Sequence, residues 1–177
     1  GYRFSADERV TGGLTIEDTK TIIQYVDRQG ADYFSVSIAV NASDDQMIPS
    51  MYYRHGYQAD YAAEIKKVTH KPVITVGRIN DTRIAESILV SGKADLIGMA
   101  RQSLADPETP NKAKEGRFEE IRKCVGCLHG CVGHIDTGKR GSCELNPLIG
   151  YESDSEYEIK KAVSPKNVMV VGAGPAG

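Results

Sequence analysis

The 177-residue sequence lacks an excess of charge of either sign, and it lacks a long apolar run. Its 22 lysines and arginines balance 24 aspartates and glutamates, which gives a net charge of −2 and a pI near 6.1. This balance disfavours nucleic acid or an anionic membrane as the main partner. Because no stretch of about 18 apolar residues is present, we expect no segment to span a bilayer. The 40% hydrophobic content is that of an ordinary soluble globular chain.

The sequence also lacks the basic and then apolar leader of a secreted protein. It begins with Gly1 and ends in a glycine-rich stretch that follows a hydrophobic run. Length alone suggests one domain or two small ones. We instead expect the sequence to be a piece of a longer, cytoplasmic protein.

Cysteine is absent from the first 123 residues and then occurs four times with the spacing C-x2-C-x3-C-x11-C, at Cys124, Cys127, Cys131 and Cys143. Disulfide cysteines are usually spread along a secreted domain, so this clustering favours a metal site in a reducing compartment. Structural zinc usually draws on two separated ligand pairs. Three thiols close together and a fourth after a longer loop are better suited to an iron–sulfur cubane. A zinc knuckle and four incidental buried thiols are the alternatives.

Before the cysteines, short apolar strands alternate with amphipathic helices. Strands are predicted at residues 2–5, 33–40, 72–76 and 94–98. The predicted helices are one capped by Thr15 and stopped by Gly30, one over residues 58–68, one capped by Asp81 and stopped by Gly92, and one opened by Asp106-Pro107 and ending near Gly116. This α/β alternation indicates a parallel sheet, either open and doubly wound or closed into a barrel. Four units would be half of a (β/α)8 TIM barrel.

Two consecutive predicted strands end in glycine or alanine beside an arginine. Gly77 and Arg78 follow the third strand, and Ala100 and Arg101 follow the fourth. In TIM-barrel enzymes the loops after strands 7 and 8 commonly bind phosphate. The sequence therefore predicts an anion pocket formed by these four residues. The alternative is that they are turn residues and solvated surface charges.

The last ten residues resemble a dinucleotide-binding turn. A predicted strand over residues 168–171 leads into Gly172, Gly174 and Gly177, which have the spacing G-x-G-x-x-G. Glycines at this spacing permit a tight turn and the close approach of a pyrophosphate. The helix that would bind the pyrophosphate should follow the third glycine, so we expect the motif to be non-functional within these 177 residues.

Four stretches carry a resemblance to a known family: VGRIND (76–81), ADLIGMARQSLADPE (94–108), the cysteine spacing, and CELNP (143–147). They resemble the NADH:flavin oxidoreductases related to old yellow enzyme, in the multidomain branch of 2,4-dienoyl-CoA reductase, 2-enoate reductase and trimethylamine dehydrogenase. The resemblance implies the C-terminal half (strands 5–8) of an FMN-binding (β/α)8 barrel over residues 1–117. It then implies a [4Fe–4S] loop and linker over residues 118–160, and the first strand of an FAD- or NAD(P)-binding module over residues 161–177.

By this resemblance, Arg3 lies beside the pyrimidine edge of FMN. The FMN phosphate loops are implied to be Gly77, Arg78, Ala100 and Arg101, and the cluster ligands Cys124, Cys127, Cys131 and Cys143. The catalytic residues remain unknown, because residues 41–45 lack the histidine that dienoyl-CoA reductases have there. Tyr52, Tyr53 and His55 lie further along, and we interpret them as ordinary loop residues.

The resemblance implies that electrons from NAD(P)H pass through FAD and the cluster to FMN, and that the C=C bond of an α,β-unsaturated carbonyl, an enoate or enoyl-CoA, is reduced. One alternative is an amine dehydrogenase of the same family. Another is a catalytically silent half barrel with a zinc-loaded or empty cysteine site. Because a half barrel has open edges and an uncovered inner face, we also expect a homo-oligomer.

Overall fold

The structure is a computed structural model that describes residues 1–157 and 160–172. Its strands are β1 (Tyr2–Ser5), β2 (Phe34–Ser37), β3 (Val73–Thr75) and β4 (Leu96–Ile97). Its α-helices are α1 (Ile16–Arg28), α2 (Asp44–Met47), α3 (Ala59–Lys66), α4 (Thr82–Val90), α5 (Ala100–Ala105), α6 (Thr109–Lys114) and α7 (His134–Asp136). Short 3-10 turns occupy Asn41–Ser43 and Phe118–Glu120, and a π-type turn occupies His129–Gly133.

All four strands are parallel and pair in the order β1-β2-β3-β4. The predicted α/β class with a parallel sheet is therefore confirmed. A doubly wound sheet reverses its strand order at a switch point. This sheet has no such reversal among the described residues, so the chain moves in one direction across it.

Helix α1 shows how local sequence determines the elements. Thr15 accepts a hydrogen bond from the backbone of Asp18, and the Asp18 carboxylate accepts one from the backbone of Thr15, which completes a capping box. Gly30 then ends the helix at a φ of +95°, a conformation that glycine adopts without strain. The predicted limits of this helix are confirmed.

One face of the sheet packs on the helices. Phe34 and Val36 of β2 and Val73 of β3 are fully buried, and Ile23 of α1 and Ile65 of α3 belong to the same core. The opposite face carries alternate residues of the strands, since successive side chains point to opposite sides. Its cross-strand row consists of Arg3, Ser35, Ile74 and Leu96.

Several predicted boundaries are corrected. The strand expected at residues 33–40 stops at Ser37, because β1 and β3 offer no partners further on. Beyond it the Ala39 backbone turns to φ +70° and donates to the Asp7 carbonyl at 2.7 Å. The helix expected to open at Asp106 begins at Thr109, because the preceding turn closes with an i→i+3 hydrogen bond from the Thr109 N–H to the Asp106 carbonyl. Helix α5 was not predicted.

The strand expected over residues 168–171 is not formed. These four side chains are between 63% and 86% exposed, and the backbone there has no strand assignment. A β-strand exists only when its backbone groups pair with a neighbour. None of the four strands of the described sheet provides that neighbour.

Within residues 1–157 and 160–172, no helix is both long enough and apolar enough to cross a membrane.

Candidate functional site

A cavity of about 430 Å³ lies where the C-terminal ends of the strands meet. The residues that follow β3 and β4, part of the loop beyond β2 and Arg3 of β1 line it, and a later segment of the chain closes one side. The lining residues include 3, 47–49, 76–80, 98–102, 124, 126 and 131. The cavity thus brings together Arg3, Gly77, Arg78, Ala100 and Arg101, which were the five barrel residues predicted to bind a cofactor.

The first predicted anion loop is a sharp turn. Gly77 and Arg78 both have positive φ, at +102° and +52°. A Cβ on Gly77 would lie 2.7 Å from the buried Gln58 side chain, so only glycine fits there. Gln58 in turn donates to the carbonyls of Gln46 and Met47 at 3.3 Å. It therefore joins the loop after β2 to the loop after β3 beneath the cavity.

The two loop arginines carry unsatisfied donors. Nε of Arg78 and Nη1 of Arg101 are buried, and no described group accepts a hydrogen bond from either. Arg78 also donates to the Tyr53 carbonyl, whereas Arg101 forms no hydrogen bond or ion pair within the described part of the chain. Because a buried charge without a partner is costly, these two side chains are suited to an anionic ligand.

Arg3 lies on the sheet face that turns toward the cavity. Its guanidinium Nη1 donates to Ser35 Oγ across the β1–β2 pair at 3.2 Å. The side chain is exposed and retains further donors for a ligand.

The four predicted metal ligands surround one small cavity of about 20 Å³ beside the larger one. All four thiols are free. Burial raises the pKa of the Cys124 thiol, and the neighbouring Cys131 and Cys143 raise it further against the opposing effect of Arg101. No group of three His, Cys, Asp or Glu side chains among the described residues is arranged to hold a metal ion.

Two contacts bring the cysteine arms together. The Ser142 backbone donates to the Gly130 carbonyl at 2.7 Å, and a Cβ on Gly130 would collide with the backbone of Ser142. His129 Nδ1 lies 2.7 Å from the carboxylate of Glu144. These contacts bring the arm of Cys131 next to the arm of Cys143.

Side-chain amides attach the cysteine segment to the strand-end loops. Asn80 donates to the Cys124 carbonyl at 2.7 Å, and Gln102 accepts from the Cys124 backbone N–H at 2.8 Å. The Met51 backbone donates to the Gly126 carbonyl at 2.9 Å. The sequence analysis did not select Asn80 or Gln102, although both belong to the motifs quoted there. A side-chain amide that hydrogen-bonds to distant backbone cannot be recognised from a sequence pattern.

Tyr52, Tyr53 and His55, which were interpreted as ordinary loop residues, lie away from the cavity. Tyr52 is 91% exposed, and His55 is also exposed. Tyr53 donates its hydroxyl to Asp45 at 2.6 Å, and this hydrogen bond raises the pKa of Tyr53 to about 12. None of the three lines the cavity.

The predicted dinucleotide turn is only partly described. Gly172 is exposed, with a φ of +128°. Gly174 and Gly177 lie outside the described residues.

The NADH:flavin oxidoreductase / NADH oxidase family matches residues 1–120. The NADH oxidase of Thermoanaerobacter brockii is 44% identical over 177 residues, which is 99% of this chain and 27% of that protein. The cinnamate reductase of Clostridium sporogenes is 40% identical over 129 residues, 73% of this chain and 19% of that protein. The structure of 2-naphthoyl-CoA reductase in complex with 2-naphthoyl-CoA superposes with a TM-score of 0.91 at 32% identity, over 98% of this chain and 26% of that one.

The chain therefore belongs to the NADH:flavin oxidoreductase / NADH oxidase family, a family of enzymes. It spans about a quarter of the length of the relative that it matches end to end.

Asp106 connects helix α6 to the start of the cysteine segment. Its carboxylate is 1% exposed, lies 2.7 Å from Lys112 Nζ, and accepts from the Arg122 backbone at 3.0 Å. Burial alone would raise the pKa of Asp106, but these two partners lower it below its ordinary value.

We expect Asp106→Asn to lower the free energy of unfolding at pH 7 by about 1–3 kcal/mol, because a charged hydrogen bond is lost. The stabilisation is present above the unfolded-state pKa of about 3.9 and is lost as the pH falls through the lower folded-state pKa. Urea unfolding at several pH values should show the difference shrinking in acid. The exposed Asp32→Asn should behave like the wild type, and a difference that does not depend on pH would contradict the prediction.

Proposed function

We propose that the chain is part of an FMN- and [4Fe–4S]-dependent NAD(P)H oxidoreductase that reduces the C=C bond of an α,β-unsaturated carbonyl. The observation that carries the proposal is a pair of buried guanidinium nitrogens without an acceptor, Arg78 Nε and Arg101 Nη1, on side chains that line one strand-end cavity. A phosphate would satisfy both. In this proposal, residues 1–117 are a half barrel, 118–160 are the cluster loop and linker, and 161–177 begin a dinucleotide module.

The order of the strands supports the half barrel. Consecutive parallel strands that follow one another without reversal are the wall of a (β/α)8 barrel, and the active site of such a barrel lies at the C-terminal strand ends. The cavity lies at that end. By this assignment β1–β4 are barrel strands 5–8, and the two arginine loops are the loops after strands 7 and 8.

The residues on the cavity fit FMN. Arg78 and Arg101, with the backbone at Gly77 and Ala100, would hold the phosphate, and Arg3 would hold the pyrimidine edge of the ring. FMN bound there would supply hydride transfer to the substrate. The protein's part is to hold the ring and phosphate in one orientation and to place positive charge beside the ring.

The shared cavity supports the assignment of the four cysteines as cubane ligands. All four thiols line that cavity. In a [4Fe–4S] cluster each thiolate binds a different iron, so one cluster would use all four. Three thiols close together in the sequence and a fourth after a longer loop favour this ligand set over zinc, which usually draws on two separated ligand pairs.

The two cavities share a wall. Cys124 and Cys131 line both the flavin cavity and the cysteine cavity, as do Arg101 and Gly126. This arrangement supports electron transfer between a cluster and a flavin, since no thick layer of protein separates the two cavities.

The substrate class is inferred from the names of the relatives, a cinnamate reductase and a 2-naphthoyl-CoA reductase. Both names denote an unsaturated system conjugated to a carboxyl group. FAD and NAD(P)H would bind to the module that Gly172, Gly174 and Gly177 begin. The proposal also includes the association of two copies through the open half barrel. It includes a cytoplasmic location as well.

We expect Arg101→Ala in the full-length protein to weaken FMN binding by about 10- to 100-fold, because a charged hydrogen bond to the phosphate is lost. Quenching of flavin fluorescence measures the dissociation constant. Arg101→Lys should bind with intermediate affinity, and the exposed Arg28→Ala should bind like the wild type. Unchanged affinity in Arg101→Ala would remove Arg101 from the phosphate site.

We expect Cys131→Ser to abolish the broad brown absorbance of anaerobically purified full-length protein and to remove most of its iron, because one corner of the cluster loses its thiolate. Ser155→Ala in the linker is the control. Colour that survives in Cys131→Ser would show that the ligand set is wrong. A colourless wild type with stoichiometric zinc would overturn the iron–sulfur assignment.

Under anaerobic conditions, which remove dioxygen as an alternative oxidant, the full-length enzyme should oxidise NAD(P)H only when cinnamate or an enoyl-CoA is present, as followed by absorbance at 340 nm. Cys131→Ser should lose this turnover but keep single-turnover reduction of the substrate after dithionite has reduced the flavin directly. Oxidation of a secondary amine without any NAD(P)H-dependent reduction would instead favour the amine dehydrogenase.

A further inference from the structure

The peptide of Cys124 is held on both sides by side chains from other parts of the chain. Asn80, after β3, donates Nδ2 to the Cys124 carbonyl at 2.7 Å. Gln102, in α5, accepts from the Cys124 N–H with Oε1 at 2.8 Å. The position of this thiol thus depends on two side chains that lie 44 and 22 residues earlier in the chain.

The orientation of the Gln102 amide is determined by its surroundings. The side chain is 1% exposed, and its Nε2 donates to Thr109 Oγ1 at 2.8 Å and to the Arg122 carbonyl at 3.0 Å. Thr109 Oγ1 uses its own hydrogen to donate to the Asp106 carbonyl. Because Nε2 faces two acceptors and Oε1 faces a donor, a flipped amide would lose all three hydrogen bonds.

The two amides belong to the loops of the proposed phosphate site. Asn80 follows Arg78 by two residues, and Gln102 directly follows Arg101. Arg78 also lies close to the cysteine segment, because a Cβ built on Gly126 would lie 3.4 Å from its Nε. An anion that fixes the two arginines would therefore also fix the two amides that hold Cys124.

We propose that Asn80 and Gln102 are positioning residues that couple occupancy of the anion cavity to the placement of the Cys124 thiol. The inference rests on the proposed function, since it takes the anion to be the FMN phosphate and the thiol to be a cluster ligand. Coupling between two sites is reciprocal. A loaded cluster must therefore tighten flavin binding by the same factor by which flavin tightens binding of the cluster.

The test measures the FMN dissociation constant of the full-length protein twice, once with the cluster loaded and once after anaerobic removal of the cluster with an iron chelator. The coupling ratio is the FMN dissociation constant of the cluster-free protein divided by that of the cluster-loaded protein. For the wild type we expect a ratio within about 5 to 150, the usual range of coupling between sites. Asn80→Ala should bring the ratio near one. Because Asn80 also lines the cavity, the ratio within each variant is compared, and not the dissociation constant itself.

Asn111→Ala is the matched control, because Asn111 is an exposed amide whose side chain donates to the nearby Glu108. It should keep the wild-type ratio. Should Asn80→Ala fail to load a cluster, Asn80→Ser retains a shorter hydroxyl donor and should give an intermediate ratio. Gln102→Glu, which replaces the Nε2 donor by an oxygen facing the Arg122 carbonyl, should also lower the ratio.

A ratio of one in the wild type, or a wild-type ratio in Asn80→Ala or Asn80→Ser, would overturn the inference. These outcomes differ from a failure of the proposed function. That failure would appear as a wild type that binds no FMN, or as a cluster that survives Cys131→Ser.

Discussion

The in-register pairing of four parallel strands is the constraint on which the site depends. At the C-terminal ends of the strands, Ser5 of β1 pairs with Ser37 of β2, and Thr75 of β3 pairs with Ile97 of β4. Because all strands run in the same direction, the loops that follow them leave the sheet at one edge. Residues far apart in sequence therefore line one cavity, although their side chains need not contact one another to be brought there.

Within that cavity, the energetics favour an anion. The buried N–H groups of Arg78 and Arg101 that have no acceptor cost free energy in the protein as described. A site that leaves charge uncompensated in this way gains most from a ligand with several acceptor oxygens. The strained turn at Gly77 and Arg78 fits the same interpretation, since unfavourable backbone is commonly retained at ligand sites.

Sequence reasoning succeeded where the controlling interaction is local. The Thr15 capping box, the Gly30 stop and the strand–helix alternation depend on neighbours within a few residues, and all three were predicted. The placement of Arg78 and Arg101 on one cavity was also predicted, because it follows from parallel topology, whereas Arg3 was assigned only through the family resemblance. Asn80 and Gln102 were missed because their partners lie 44 and 22 residues away on irregular backbone.

The contrast between the cysteine segment and residues 168–171 shows the same principle. Both segments follow the parallel sheet and its helices and have little regular structure of their own. The cysteine segment is nevertheless positioned, because its peptide groups find acceptors and donors on Asn80, Gln102 and Met51. The run 168–171 has strong β propensity but no paired strand, and its side chains stay exposed. The β propensity of a segment indicates that it can form a strand, but the strand forms only when a hydrogen-bonding partner is present.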